Sequence, residues 1–335
     1  MKNKISVIGG GSWGTAITYL LSNKGFDTSM YLRDEAVLNN LIKTKENKKY
    51  LPGVILNKAK FTNKIEIVKD CDYIVLATPS SAIVSVLDDL KKYINGNAVI
   101  VNLAKGFEPK SQRRISEVSK EILPKNDFVV LSGPSHAEEV GKDIPTAVVC
   151  ASISHEAAKK VQDIFSNDKF RVYTNNDLIG VEIGGALKNI IALGAGMSDG
   201  LGYGDNTKAA LMTRGIYEMS KLGIVLGANP HTFTGLSGIG DLIVTCTSMH
   251  SRNRRAGILI GKGKSKDEAS KEIGQVVEGI KTTKSAYELS LIHKVDMPIV
   301  RKLYKVLYEG MNPEEAVKTL MAREKKAEIE QIFFE

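Results

Sequence analysis

The sequence predicts an α/β fold. A doubly wound parallel sheet covers residues 1–178, and an all-helical domain covers residues 179–335. Three observations predict it. Short, almost wholly apolar runs alternate with helical patterns through the first half. Strand-like runs then largely stop. A glycine-rich turn, Gly9-Gly10-Gly11-Ser12-Trp13-Gly14, joins the first apolar run to the first helical pattern.

The apolar runs are Ile5–Ile8, Ser29–Leu32, Tyr73–Ala77, Ala98–Asn102, Phe128–Leu131 and Thr146–Cys150. They carry apolar or β-branched residues at nearly every position, as strands covered on both faces do. Helical patterns lie between them, near residues 14–24, 35–45, 80–93, 111–122 and 155–166. This βαβ rhythm implies parallel strands with helices on both sides. The boundary to the second half is expected within 175–182. There, small-residue helical sequence begins at Val181–Met197, and a second helix is expected over Asn206–Leu222 with Met212, Ile216 and Met219 on one face. Ser265-x-x-Glu268 has the form of a capping box. Asn312-Pro313-Glu314-Glu315 offers an N-cap, a proline at the first helical position and acids in the first turn.

A length of 335 residues, with 43% hydrophobic and 25% charged, suits a globular protein of about two domains. The net charge of +8 is spread along the chain without a block of basic residues, which argues against a nucleic-acid arm. It suits small phosphorylated ligands equally well. The three cysteines, Cys71, Cys150 and Cys246, are odd in number and show no C-x-x-C spacing. A reducing compartment is expected, without disulfides. The five histidines are scattered, so no metal is expected. The start lacks signal-peptide features, and no run approaches the ~18 consecutive apolar residues of a membrane span. The expectation is a soluble cytoplasmic protein with no membrane insertion and no nucleic-acid partner.

The glycine turn satisfies G-x-G-x-x-G in the context that gives the pattern meaning, directly after a strand and opening a helix. Gly9, Gly11 and Gly14 would make the tight turn and let the backbone approach a pyrophosphate at the helix N-terminus. The first domain is therefore expected to be of the Rossmann type. The second strand ends Tyr31-Leu32-Arg33-Asp34. An NAD-only site usually places an acid about 20 residues after the glycines. Here Arg33 comes first and can pair with a 2′-phosphate, while Asp34 either points away or accepts from a ribose hydroxyl. NADPH is favoured slightly over NADH.

Further stretches carry a family resemblance. They are Asn102-Leu103-Ala104-Lys105-Gly106, Ser132-Gly133-Pro134-Ser135-His136-Ala137-Glu138-Glu139, Glu182-Ile183-Gly184-Gly185-Ala186-Leu187-Lys188-Asn189, Asp205-Asn206-Thr207-Lys208, Gly238-Ile239-Gly240-Asp241-Leu242 and Ser251-Arg252-Asn253. In this order and spacing the set resembles the bacterial NAD(P)-dependent glycerol-3-phosphate dehydrogenases, over about residues 5–325. The resemblance implies that Lys188 is the proton donor and acceptor. Ser12, Trp13, Arg33, Tyr50, Lys105 and Ala137 would line the dinucleotide. Lys105, Gly133, Ser135, Lys188, Asp241, Ser251, Arg252 and Asn253 would line the site for dihydroxyacetone phosphate or sn-glycerol 3-phosphate. Arg252, Val276 and Glu278 would close over the cofactor from the second domain. His136 departs from the family pattern and is given no catalytic role. The product is the backbone precursor of glycerophospholipids, so a role in phospholipid and carbohydrate metabolism is implied.

The chemistry asks for these residue types. Negative charge builds on the carbonyl oxygen as hydride arrives, and a positioned acid must answer it. Lysine serves if burial or a neighbouring cation such as Lys105 lowers its pKa. Asp241 would orient Lys188 or accept from a substrate hydroxyl; as an ion-pair partner it would act in the opposite sense. Ser251-Arg252-Asn253, with a helical continuation, would form an anion site at a helix start. The active site is expected in a cleft between the domains. The rival readings are a related two-domain β-hydroxyacid-type dehydrogenase and a non-catalytic NADPH-binding sensor. A homodimer is left open, as is whether the tail Ala322–Glu335 frays or docks on a partner subunit.

Overall fold

A computed structural model describes residues 3–325, 327 and 328. The end of the tail, including Ile332-Phe333-Phe334-Glu335, lies outside the described residues. The chain divides into two compact units, Met1–Gly185 and Ala186–Glu335. The division falls inside one long helix rather than in a linker.

The strands of the first unit are β1 (Lys4–Ile8), β2 (Asp27–Tyr31), β3 (Lys60–Thr62), β4 (Tyr73–Leu76), β5 (Val99–Asn102), β6 (Phe128–Ser132), β7 (Thr146–Ala151) and β8 (Phe170–Asn175). They form one sheet in the order β3-β2-β1-β4-β5-β6-β7-β8. β1 lies parallel between β2 and β4, with Ile8 opposite Tyr31 on one side and Leu76 on the other. Strand order reverses at β1, so the C-terminal ends of β1 and β4 form the topological switch point, where ligands of open α/β sheets bind.

Helices α1 (Ser12–Asn23), α2 (Glu35–Thr44), α3 (Ile83–Lys91), α4 (Ile115–Ile122), α5 (Ala137–Val140) and α6 (His155–Phe165) connect the strands. Alternate strand residues feed two cores. Ile5, Val7, Val75 and Val101 pack on one face, and Ile8, Ile74, Leu76 and Ile100 on the other. Burial on both faces is what made these strands legible as continuous apolar runs.

Three features depart from the expectation. β3 and β8 were not foreseen. β3 is three residues long and exposed or half-buried, and β8 alternates buried Phe170 and Val172 with exposed Arg171 and Tyr173 at the sheet edge. Neither is a continuous apolar run. The sheet is also not wholly parallel, because β6 pairs antiparallel with β7. The connection from β6 to β7 runs through residues 133–145 and contains only the four-residue helix α5.

The second half is helical: α7 (Leu178–Gly200), α8 (Asp205–Val225), α9 (Asp241–Thr247), α10 (Arg252–Gly261), α11 (Lys266–Ile273), α12 (Glu278–Ile292), α13 (Pro298–Tyr308) and α14 (Pro313–Met321). The foreseen caps form. Ser265 and Glu268 make a reciprocal capping box, and the Asn312 side chain accepts from the Glu314 amide. On α8 the foreseen stripe is only partly buried. Met219 is buried, whereas Met212 and Ile216 are half-buried beside a deeper face of Gly215, Glu218 and Leu222. By length and composition α7 could cross a membrane, but 94% of its apolar window is buried, which marks a core helix.

Candidate active site

The turn after β1 is built by the glycines and braced from a loop. Gly9 has φ +123°, which favours glycine, and a Cβ there would stand 2.6 Å from the Ala77 carbonyl oxygen. A Cβ on Gly14 would stand 2.0 Å from the carbonyl oxygen of Gly9. These two glycines are therefore required by the chain's own packing. Gly11 differs: beyond its own chain neighbours, nothing among the described residues lies within 4 Å of the position its Cβ would take. The open cradle at Gly11, beside the N-terminus of α1, fits the pyrophosphate of a dinucleotide. Asn47, buried and unmarked by any sequence pattern, donates from Nδ2 to the Gly10 carbonyl at 2.9 Å and to Thr15 Oγ1 at 2.7 Å. Ser12 Oγ donates to the Tyr50 carbonyl at 2.7 Å, which brings both residues to the turn.

Arg33 is exposed at the end of β2. Asp34 caps α2: its Oδ1 accepts from the Val37 amide at 3.1 Å, and its Oδ2 lies 3.2 Å from Lys49 Nζ. The bond from Val37, aided by Lys49, holds this carboxyl below its ordinary range. Lys49 Nζ also stands 5.2 Å from the Tyr50 ring centroid.

A second group gathers after β5 and β6. Gly133, with φ +131°, offers its carbonyl to Lys105 Nζ and to Ser135 Oγ, each at 2.9 Å. A Cβ on Gly133 would stand 3.0 Å from Val148 Cα. His136 takes the N-cap position of α5, directly before buried Ala137. At Gly185 a Cβ would stand 2.8 Å from Ser132 Oγ and 3.6 Å from Lys105 Cγ, so the small residue makes room for this group.

The third group lies in the second unit. Lys188 on α7 is 5% exposed, with Asp241 at 1% and Thr245 at 3%. Lys188 Nζ donates to Asp241 Oδ1 at 2.8 Å and to Thr245 Oγ1 at 2.6 Å, and Thr245 Oγ1 donates to the Asp241 carbonyl at 2.6 Å. Lysine is thus held as the ammonium half of a buried ion pair. Residues Leu236–Gly240 form a short turn kinked at Gly238, whose φ −97° and ψ −105° are not helical, and this turn delivers Asp241 to the start of α9. Gly238 is needed there, because its Cβ would stand 2.1 Å from the Phe233 carbonyl oxygen. Thr245, one turn beyond Asp241, was missed; its i+4 spacing on a short helix was the available signal.

Ser251 caps α10, its Oγ accepting from the Arg254 amide at 3.2 Å. Arg252 is exposed and donates from Nη1 to Gln275 Oε1 at 3.3 Å and to the Val276 carbonyl at 3.1 Å. Val276 therefore stands beside it, and Glu278 begins α12 two residues further on. Asn253 is buried and committed inward: its Nδ2 donates to Asn189 Oδ1 and its Oδ1 accepts from the Gly279 amide, both at 2.8 Å. Asn189 was a quoted motif residue given no role. The three cysteines are buried and free; burial pushes Cys71 up to about 11 and Cys150 and Cys246 to about 12, so none is a nucleophile at neutral pH. A cavity of about 710 Å³ in the second unit, lined by Ser198, Glu218 and Leu303 among others, contains none of the candidate residues.

Comparison with known proteins places the chain in a family. A family model described as the NAD-dependent glycerol-3-phosphate dehydrogenase N-terminus matches residues 4–158, and its C-terminal counterpart matches residues 177–318. A glycerol-3-phosphate dehydrogenase (NAD(P)+) of a Thermoanaerobacter species is 57% identical over 327 residues, covering 97% of this chain and 99% of the relative. One from Clostridium perfringens is 53% identical over 328 residues, covering 97% and 99%. The crystal structure of glycerol-3-phosphate dehydrogenase from Coxiella burnetii superposes with a TM-score of 0.93 at 37% identity, covering 96% of this chain and 99% of that one. With both halves matched and full-length relatives above half identity, the chain belongs to the NAD-dependent glycerol-3-phosphate dehydrogenase family.

Proposed function

We propose that this protein interconverts dihydroxyacetone phosphate and sn-glycerol 3-phosphate, with Lys188 as the proton donor and acceptor. The observation that carries the reading is the buried Lys188–Asp241–Thr245 group, a lysine inside a helical unit with a carboxylate and a hydroxyl on its ammonium. A buried charged lysine is rare without a task, and such sites concentrate at functional centres.

NADH or NADPH, when bound, supplies the hydride to the carbonyl carbon. The Gly9–Gly14 turn and the α1 N-terminus would hold the pyrophosphate. Lys188 Nζ would stabilise negative charge on the carbonyl oxygen and pass it a proton, leaving neutral lysine and a hydroxyl. In the reverse direction Lys188 takes the hydroxyl proton. Asp241 and Thr245 would keep Nζ aimed and compensate its charge. Lys105, with Gly133 and Ser135, is proposed to bind substrate from the first unit. Ser251 and Arg252 are proposed to hold the phosphate at the start of α10. The inward commitment of both Asn253 amide atoms supports a positioning share for that residue. Arg33 supports NADPH as the preferred cofactor. The exposed Arg252 beside Val276 supports its second proposed role, over the cofactor, together with Val276 and Glu278.

We further propose that the enzyme works in the cytoplasm and supplies glycerol 3-phosphate for glycerophospholipid synthesis. The buried character of α7 supports the absence of membrane insertion. Loss of reduced-nicotinamide absorbance, dependent on dihydroxyacetone phosphate, tests the function. Lys188→Met should lower kcat by ~10²–10⁴-fold, the usual worth of a general acid, with cofactor affinity retained. Wild-type protein that oxidises neither cofactor, or a Lys188→Met variant with ordinary kcat, would overturn the reading.

A further inference from the structure

Helices α7 and α10 meet backbone to backbone. Gly196 and Gly200 on α7 are spaced one turn apart, as are Gly257 and Gly261 on α10. A Cβ on Gly196 would stand 2.0 Å from the Arg254 carbonyl oxygen, and one on Gly200 2.4 Å from that of Ile258. The contacts are reciprocal: a Cβ on Gly257 would stand 2.1 Å from the Leu193 carbonyl oxygen, and one on Gly261 2.4 Å from that of Met197. The opposing atoms are main chain and cannot rotate away. Glycine inside a helix is unfavourable by roughly 0.5–1 kcal/mol relative to alanine, so four such positions point to a requirement for close approach.

Polar contacts fix the register of the same crossing. Arg254 Nε donates to Asp199 Oδ2 at 2.8 Å, and Arg254 Nη1 donates to the Thr247 carbonyl. Lys208 Nζ lies 2.8 Å from the other oxygen of Asp199. Nearer the site, Asn253 Nδ2 reaches Asn189 Oδ1 at 2.8 Å, and Asn189 is the neighbour of Lys188. One helix thus carries the proposed proton donor, the other begins with the proposed phosphate site, and they are locked at both levels.

We propose that this crossing is a ruler for the reaction. Gly196, Gly200, Gly257 and Gly261, registered by Asp199 through Arg254, set the span from Lys188 Nζ to the start of α10. That span makes the phosphorylated ketone the productive substrate, because only a ligand reaching both ends is aligned. These are positioning residues: they touch neither substrate nor cofactor and act through α10. The inference rests on the proposed function, since it needs Lys188 as proton donor and Ser251–Arg252 as phosphate anchor.

The test compares dihydroxyacetone phosphate with unphosphorylated dihydroxyacetone, which keeps the carbonyl and lacks the anchor. Gly257→Ala forces the helices apart. An ångström of misplacement costs on the order of 10²-fold, so kcat/KM for the phosphate should fall by about that factor, with kcat falling as alignment is lost. The kcat/KM for dihydroxyacetone should stay within about threefold, because that ketone never used the span. Asp199→Asn adds no atoms and should shift the same ratio by about tenfold, the worth of one charge-assisted contact. Circular dichroism and melting show which variants are folded. A parallel loss on both ketones overturns the proposal and leaves the glycines with packing alone. If Gly257→Ala does not fold, Asp199→Asn decides, and an unchanged ratio overturns it. Wild-type protein inactive on both ketones would instead sink the proposed function beneath it, an outcome separate from any variant ratio.

Discussion

Gly11→Ala separates a glycine kept for a ligand from glycines kept for the fold. Gly11 is the N-cap residue of α1, with φ −77° and ψ −177°, a conformation that alanine adopts without strain. Two small effects oppose each other. Alanine restricts the unfolded chain and stabilises by about 0.4–1 kcal/mol. Alanine is also a poorer N-cap than glycine, by a similar amount. With nothing among the described residues beyond its chain neighbours within 4 Å of the new Cβ, no packing change adds to these, so stability should stay within about 1 kcal/mol of wild type. For a chain of this size that is a melting shift of about 2–4 °C at most. The bound dinucleotide would meet the methyl group directly. Overpacking costs about 1–3 kcal/mol, which corresponds to roughly a 5- to 150-fold weaker Kd for NADPH. The assay pairs a thermal melt with fluorescence titration of NADPH. Wild-type affinity in the variant would show that no pyrophosphate approaches this turn. A melting temperature lowered by about 8 °C or more would show that the fold, not the ligand, requires the glycine. Gly14→Ala is the internal contrast: its Cβ falls 2.0 Å from the Gly9 carbonyl oxygen, and that variant should lose stability first.

Two further predictions concern charge. Arg33→Ala should weaken NADPH by about 10- to 150-fold, the range of a lost charge-assisted contact, and leave NADH within about twofold; equal losses for both cofactors would remove Arg33 from 2′-phosphate recognition. Glu218 gives a pH signature of stability. Burial pushes it up to about 8 while the Ile299 and Val300 amides donate to its two oxygens, and a glutamate in the unfolded chain titrates near ~4.3. Between those values the unfolded state has released a proton that the folded state keeps. Stability should therefore fall as pH rises through that window, by up to about 1.4 kcal/mol per unit. Glu218→Gln should flatten the slope in denaturant titrations across the window; identical slopes in both proteins would refute the assignment.

How much was readable in the sequence follows from how each feature is encoded. Central strands such as Tyr73–Leu76 are buried on both faces and appear as unbroken apolar words. β8 was lost because one face is open, and its alternation of Phe170 and Val172 with polar neighbours spans too few residues to stand out. The antiparallel pairing of β6 with β7 was not legible, because apolar patterning does not carry strand direction. Among candidate residues, Lys188, Asp241 and the Ser251–Asn253 triplet were legible through local motifs. Thr245 and Asn47 were not, because their roles exist only through partners distant in sequence: Lys188, 57 positions away, and Gly10, 37 away. The α7–α10 crossing lies between these cases. Its glycines are visible as two repeats of the same spacing, but nothing in the sequence says that the two helices face each other.

Asp34 shows how one residue type supports two readings that only geometry separates. An acid shortly after the second strand is the usual mark of ribose recognition in NAD-only sites, and its negative charge would repel a 2′-phosphate. Here the carboxylate is already spent on the α2 N-terminus, where it accepts the Val37 amide, and on Lys49. A carboxylate held by a helix start and an ammonium presents less negative field to its surroundings than a free one. Arg33 precedes it, exposed just beyond the end of β2. Asp34 is therefore better understood as a cap that fixes where α2 begins, and so where Arg33 stands. On this argument Asp34→Ser, which preserves the cap and removes the charge, should leave the preference between NADPH and NADH pointing the same way. An exchange of preference would return Asp34 to the ribose.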